Sequence, residues 1–233
     1  MQTKLFEQPR FRIAGDQGLL MELGDGIDIR INERVRAVTL AIEQAQLKGV
    51  IEIVPTYRSV VVMYDPLQTR MNKLKEALTR LSDEVSGTGT PPPDRIEIPV
   101  CYGGGFGPDL DGVAARHGLP REEVIRLHTE PDYLVFMIGF TPGFPFLGGL
   151  PEQLHTPRLE TPRAKVPAGS VGIANGQTGI YPIESPGGWQ LIGRTPLKLF
   201  DPGRQMPFLV KAGDLLTFLS IDEEEFDRLA AKD

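Results

Sequence analysis

Apolar positions in the first third of the chain recur with two different periods. FRIAG (11–15) and LLMELG (19–24) hold closely spaced apolar side chains on either side of Asp16-Gln17-Gly18, and they read as two short strands joined by a turn. Val35, Val38, Ile42 and Ala45 then follow at three- and four-residue spacing. That spacing predicts an amphipathic helix from a cap at Asn32 to about Lys48, with Gly49 as its stop. VIEIV (50–54) and SVVVMY (59–64) are strand-like runs around Pro55-Thr56-Tyr57-Arg58, and Met71, Leu74, Leu78 and Leu81 mark one face of a second helix. Strands interleaved with two helices predict a small α+β sandwich over residues 1–85, its helices on one face of a sheet.

The pattern breaks at 86–94, SGTGTPPPD. Small polar residues followed by three prolines suit neither a helix interior nor a central strand, so this segment is expected to be a linker. Beyond it, RIEIPVCY (95–102) reads as a strand. LDGVAARHG (110–118) and PREEVIRLH (120–128) read as short helices, the first ending at Gly118 and the second opening with Pro120 at its first position. From residue 133 glycine and proline interrupt nearly every stretch. The short runs between them (YLVFMIGF, SVGIA, TGIYPI, WQLIGR, LKLF, FLVKAG, LLTFL) predict a mainly β barrel or sandwich over 95–233.

Composition narrows the function classes. The formal net charge of −6 argues against a nucleic-acid footprint, which also weakens a helix-turn-helix reading of the two short helices. The acidic tail IDEEEFDRLAAKD reads as a solvated terminal helix. One cysteine, no apolar run of membrane-spanning length and no signal-like N-terminus give the cytoplasm as the expected compartment. No GxxxxGK[ST], GxSxG, CxxC or HExxH is present and there are three histidines, so no metal site is expected. Gly103–Gly107 has two readings, a backbone cradle for an anion or a tight loop before the helix. Without a lysine at phosphate-loop spacing the second is the plainer.

Candidate chemistry concentrates in 128–195, where glycine and proline build loops that are irregular yet stiff, as a preorganised pocket or a set of barrel corners requires. Four cations fall there, Arg158, Arg163, Lys165 and Arg194, and a guanidinium pairs bidentately with carboxylate or phosphate. Gln177, Thr178, Tyr181 and Ser185 supply neutral donors and acceptors. Trp189, directly after Pro186-Gly187-Gly188, is either a pocket wall or a core plug, and Phe144 and Tyr181 are open to the same two readings. His128 closes a helix, where the dipole favours a cation; His117 and His155 read as surface residues.

Several strings are long and uncommon: Gly139-Phe140-Thr141-Pro142-Gly143-Phe144-Pro145-Phe146-Leu147, Pro162-Arg163, Val166 to Ala174, Gln177 to Pro182, Ser185-Pro186-Gly187-Gly188-Trp189 and Ile192 to Pro196. Together with the FRIAGDQGLLMELGD opening, they resemble the allophanate hydrolase subunit 1 family, whose members include the B-type subunit of 5-oxoprolinase and the Kip-type sporulation kinase inhibitor. The resemblance covers nearly the whole chain. It implies a cyclophilin-like barrel for the second domain, without implying prolyl isomerase activity. It also implies work with a homologous C-type subunit and a separate A-type subunit, which use ATP and Mg to convert 5-oxoproline to glutamate, this chain being inactive alone. A small lactam with a carboxylate needs a cation and amide-orienting groups. On that footing Arg163, Arg194 and His128 are the expected catalytic residues. Phe144, Gln177, Thr178, Tyr181, Ser185 and Trp189 are the expected substrate contacts, with the nucleotide at, or shared with, a partner. Two other roles stay open at this point: an inhibitor docking on a sensor histidine kinase, and a part in a urea or allophanate carboxylase–hydrolase system.

Overall fold

The computed structural model describes residues 3–85 and 92–232. Its internal contacts gather into two units, Met1–Pro92 and Pro93–Asp233. Most of the expected linker, 86–91, lies outside the described residues.

The first unit contains strands β1 (Leu5–Ile13), β2 (Gly18–Gly24), β3 (Val50–Pro55) and β4 (Ser59–Tyr64), with helices α1 (Ile29–Ala45) and α2 (Met71–Glu84). The strands pair antiparallel in the order β1-β2-β4-β3. Side chains alternate across a strand, and the register sets Leu19 beside Val62 and Met21 beside Val60. With Leu23 and Tyr64 they form one buried face. Val35, Val38 and Ile42 of α1 and Leu74, Leu78 and Leu81 of α2 close over it. Each such side chain stabilises the unit by about 1.5–3 kcal/mol relative to exposure.

Two details of α1 differ from expectation. Its cap is Asp28, whose Oδ1 accepts from Arg30 N at 2.9 Å, not Asn32. Asn32 lies inside the first turn, fully buried, and its amide donates to Thr56 O and Tyr57 O, tying the β3–β4 turn to the helix. The helix also stops earlier than Gly49: Gln46 takes the left-handed conformation and its side chain donates to Glu43 O at 2.7 Å.

The second unit contains β5 (Arg95–Tyr102), α3 (Leu110–His117), α4 (Arg121–Thr129), β6 (Asp132–Ile138), β7 (Pro145–Gly148), β8 (Arg163–Val166), β9 (Ser170–Ala174), β10 (Gln177–Ile180), β11 (Ser185–Gly187), β12 (Gln190–Arg194), β13 (Leu215–Ile221) and α5 (Glu223–Ala230). Seven strands close into a barrel in the order β10-β7-β6-β13-β5-β12-β9, and β8 and β11 form a separate two-stranded ribbon. Only the β13–β5 pairing is parallel. Ile98, Val100, Val135, Leu147, Val171, Ile173, Ile192 and Phe218 fill the barrel. Leu110, Val113, Val124 and Leu127 of α3 and α4 join the same core, which occupies the helix pair structurally. Pro120 stands one position earlier than expected, as the cap of α4.

The glycine run 103–107 is a tight loop. Gly103 and Gly104 are left-handed, and Gly107 lies so close to the Ile192 carbonyl that any side-chain carbon would overlap it. LKLF and FLVKAG do not form strands. A single bridge joins Phe200 to Phe208, whose rings stack at 5.3 Å, because Pro202 and Pro207 remove ladder donors between them. The acidic tail is α5: Asp222 caps it, accepting from Glu225 N at 2.8 Å, and Phe226 packs on Phe106. Among the described residues no helix is long and apolar enough to cross a membrane.

Candidate functional site

On the second unit the turn between β6 and β7 faces the β8–β11 ribbon across a cavity of about 240 Å³. That is below the roughly 300–1,000 Å³ of sites for drug-sized ligands and suits one small ring. Its walls are aromatic. Phe144 meets Tyr181 edge-on at 5.1 Å and Trp189 at 5.5 Å, and Phe146 and Phe140 extend the wall at 4.8 and 5.6 Å from Phe144. Pro162, Pro186, Gly187 and Gly188 complete it. A side-chain carbon at Gly187 would overlap the Tyr181 hydroxyl, so glycine there is what lets the ribbon approach the phenol.

Two polar side chains face this space, Arg158 and Tyr181. The Arg158 guanidinium lies 5.9 Å from the Trp189 ring centroid and has no ion pair among the described residues. Burial pushes the Tyr181 phenol above its ordinary pKa, while a Trp189 N–H and the charges of Arg158 and Arg163 pull it down. It therefore stays protonated at neutral pH and is a hydrogen-bonding group. Among the described residues, no carboxylate, imidazole or thiol lines the cavity. The chemistry of this lining suits a small, flat anion; among the described residues that line it, none transfers a proton near neutral pH.

The structure gathers Phe144, Tyr181 and Trp189 from the expected set and places the others elsewhere. Arg163 Nη2 donates to Asp109 Oδ1 at 2.6 Å, and its Nη1 donates to Trp189 O at 3.3 Å. Asp109 also accepts from Leu191 N at 2.6 Å. This half-buried clasp fixes the backbone that carries Trp189. Arg194 lies at the end of β12, its Nε donating to Ala168 O at 2.8 Å. Ser185 is buried on β11, its hydroxyl without a partner among the described residues. Gln177 opens β10, opposite Ala174.

His128 and Thr178 are fully buried in the barrel. Thr178 Oγ1 donates to Gly172 O at 3.1 Å, so it accepts from His128 Nε2–H at 2.9 Å; His128 Nδ1 then accepts from Tyr102 OH at 2.8 Å. Burial holds this imidazole neutral, with its pKa lowered to about 3. Sequence reasoning gave no role to Phe140 and Phe146 at the cavity, and it named Arg158 among four cations but expected Arg163 and Arg194 to act. The only signals for them were their place in the long aromatic string and, for Arg158, its place among four nearby cations.

A Mg-bound triphosphate needs oxygen ligands for the metal and several cations for the phosphates. The cavity offers one guanidinium and no carboxylate, so it does not fit that group. Among the described residues no group of three His, Cys, Asp or Glu side chains comes together as a metal site.

Residues 9–210 match the family model of the carboxyltransferase domain, subdomain C and D. The chain is 42% identical over 226 residues to the B-type subunit of 5-oxoprolinase from Bacillus subtilis, covering 91% of this chain and 92% of that one. It is 43% identical to the B-type subunit of 5-oxoprolinase from Escherichia coli O157:H7, covering 91% and 96%. The solved structure of TTHA0988 superposes with a TM-score of 0.80 at 39% identity, over 88% of this chain; the chain spans 40% of the length of that structure. Urea carboxylase relatives are more distant. The putative urea carboxylase of Emericella nidulans is 24% identical, over 95% of this chain and 21% of its own length.

Proposed function

This chain belongs to the family of the carboxyltransferase domain, subdomain C and D, and from that premise we propose that it is the B-type subunit of a cytoplasmic, ATP-dependent 5-oxoprolinase. In this reading it works with a homologous C-type subunit, of the same cyclophilin-like barrel type, and with a separate A-type subunit, and the assembly opens the lactam of 5-oxoproline to give glutamate. The observation that carries the reading is Arg158: one guanidinium without an ion pair among the described residues, beside a small cavity walled by flat rings, in a chain closely similar to B-type subunits.

The division of labour follows from the residues. Arg158 pairs with the carboxylate of 5-oxoproline in the planar, bidentate manner a guanidinium allows. The Tyr181 hydroxyl hydrogen-bonds the lactam amide, and Phe144 and Trp189, packed edge-on against each other, form the wall on which the ring rests and from which water is excluded. Arg163 acts at one remove, by holding the Trp189 backbone through Asp109. A partner would hold the ATP and Mg, which would supply the phosphoryl group that activates the amide. The cavity itself lacks a general base, which is why this chain is inactive alone.

The test is 5-oxoproline-dependent ATP hydrolysis by this chain alone, with the C-type partner, and with both partners. The reading predicts no turnover by the chain alone and turnover to glutamate only in the full mixture. A full rate from the partners without this chain would defeat it.

A further inference from the structure

Phe140 is out of place by every ordinary rule. It is a large aromatic residue, 64% exposed, and its φ is +66°. Among the described non-glycine residues only Gln46 and Asn175 share that region, and both are polar residues of turns. Thr141 N donates to Gly139 O at 2.8 Å across Phe140, so the three residues form the positive-φ γ-turn, a rare and strained conformation. Gly139 N to Phe144 O at 3.1 Å and Phe144 N to Thr141 O at 3.1 Å lock that turn to the base of β7. Glycine would adopt the same backbone without strain, and Gly139 and Gly143 flank the position. The strain yields little burial in return: the ring meets Phe144 edge-on at 5.6 Å and otherwise borders the cavity. A strained backbone that presents an exposed ring at the rim of a small aromatic cavity is expected of a ligand clamp.

We infer that Phe140 is the specificity-determining contact of this site, held by its γ-turn over the cavity so that its ring packs on the lactam ring of the substrate. The inference rests on the reading of the cavity as the 5-oxoproline site. Ring contact selects a flat cyclic amide over the open-chain product, which carries an ammonium and a second carboxylate. Glutamate has no ring to place beneath Phe140 and would bring a second carboxylate into a cavity with one guanidinium.

The experiment compares Phe140→Gly, Phe140→Ala and Trp189→Phe with the parent chain, reading thermal stability of the isolated chain and steady-state kinetics of the reconstituted complex. Phe140→Gly removes strain and ring together. Its Tm is expected to rise by about 2–4 °C while KM for 5-oxoproline rises about tenfold with little change in kcat. Phe140→Ala keeps the strain and loses the ring, so it is expected to show the same KM rise without the Tm gain. Trp189→Phe reports on the cavity itself and is expected to raise KM as well.

A fall in Tm for Phe140→Gly would show a packing residue and overturn the inference. An unchanged KM for both Phe140 variants, with a raised KM for Trp189→Phe, would overturn the clamp and leave the site reading standing. Unchanged KM in all three would overturn both. Loss of co-purification with the C-type partner in the Phe140 variants, at unchanged KM once that partner saturates, would make Phe140 a docking residue and likewise overturn the clamp.

Discussion

At the scale of single residues, four cations in one segment look alike in sequence and differ entirely in place. Arg163 is spoken for by Asp109, which lies 54 positions away along the chain, and no local pattern announces that partner. Arg194 caps a strand end, and Lys165 pairs with Glu184. Arg158 is the one that faces the cavity. The two arginines nearest the cavity are therefore expected to fail differently. Arg158→Gln should raise KM for 5-oxoproline at least tenfold and leave thermal stability unchanged, since the side chain is exposed and rests on the Trp189 ring without an ion pair among the described residues. Arg163→Gln should destabilise the fold by about 1–3 kcal/mol, because it strands the Asp109 carboxylate. Kinetics and thermal melts of the two variants check this, and the reverse pattern would exchange their roles. The aromatic residues were no more legible: the sequence left Phe144, Tyr181 and Trp189 open between pocket wall and core plug, and the structure buries all three in one cluster that also borders the cavity.

At the scale of elements, amphipathic spacing placed both helices of the first unit, because burial of one face fixes phase, and apolar runs between glycines and prolines marked most strands of the second. Caps were less legible. Asp28 and Asn32 both suit a helix start, and the choice is made by the β3–β4 turn, whose carbonyls take the Asn32 amide. The barrel shows the same dependence on distant partners. His128 on α4 bridges Tyr102 on β5 and Thr178 on β10, so one imidazole joins a helix to two strands. With its pKa lowered to about 3, the folded chain keeps His128 neutral while the unfolded chain takes up a proton below about 6.5. The stability tied to this group is thus whole above pH 6.5. It drains as pH falls toward 3, by up to about 1.4 kcal/mol per pH unit. Denaturant unfolding of the parent and of His128→Gln between pH 6 and 4 should show a shallower pH slope for the variant. Equal slopes would mean that His128 does not carry this dependence.

At the scale of the molecule, the sequence left barrel and sandwich open for the second unit. What decides between them is pairing between strands from its opposite ends, above all the parallel match of β13 with β5, which closes the cylinder and leaves no free edge. A closed barrel is a stiff support, and the cavity is built from what the barrel does not use: the β6–β7 turn and the β8–β11 ribbon. This arrangement explains a chain with a substrate-shaped pocket and no base or metal ligands lining it. On the proposed function, the partner subunits bring the chemistry to the lactam ring. The most direct measurement is a structure of the assembled complex with 5-oxoproline bound. The account predicts the lactam in this cavity, its ring against the wall of Phe144 and Trp189 and its carboxylate on Arg158. A lactam seated on one of the partners, with this cavity empty, would contradict it.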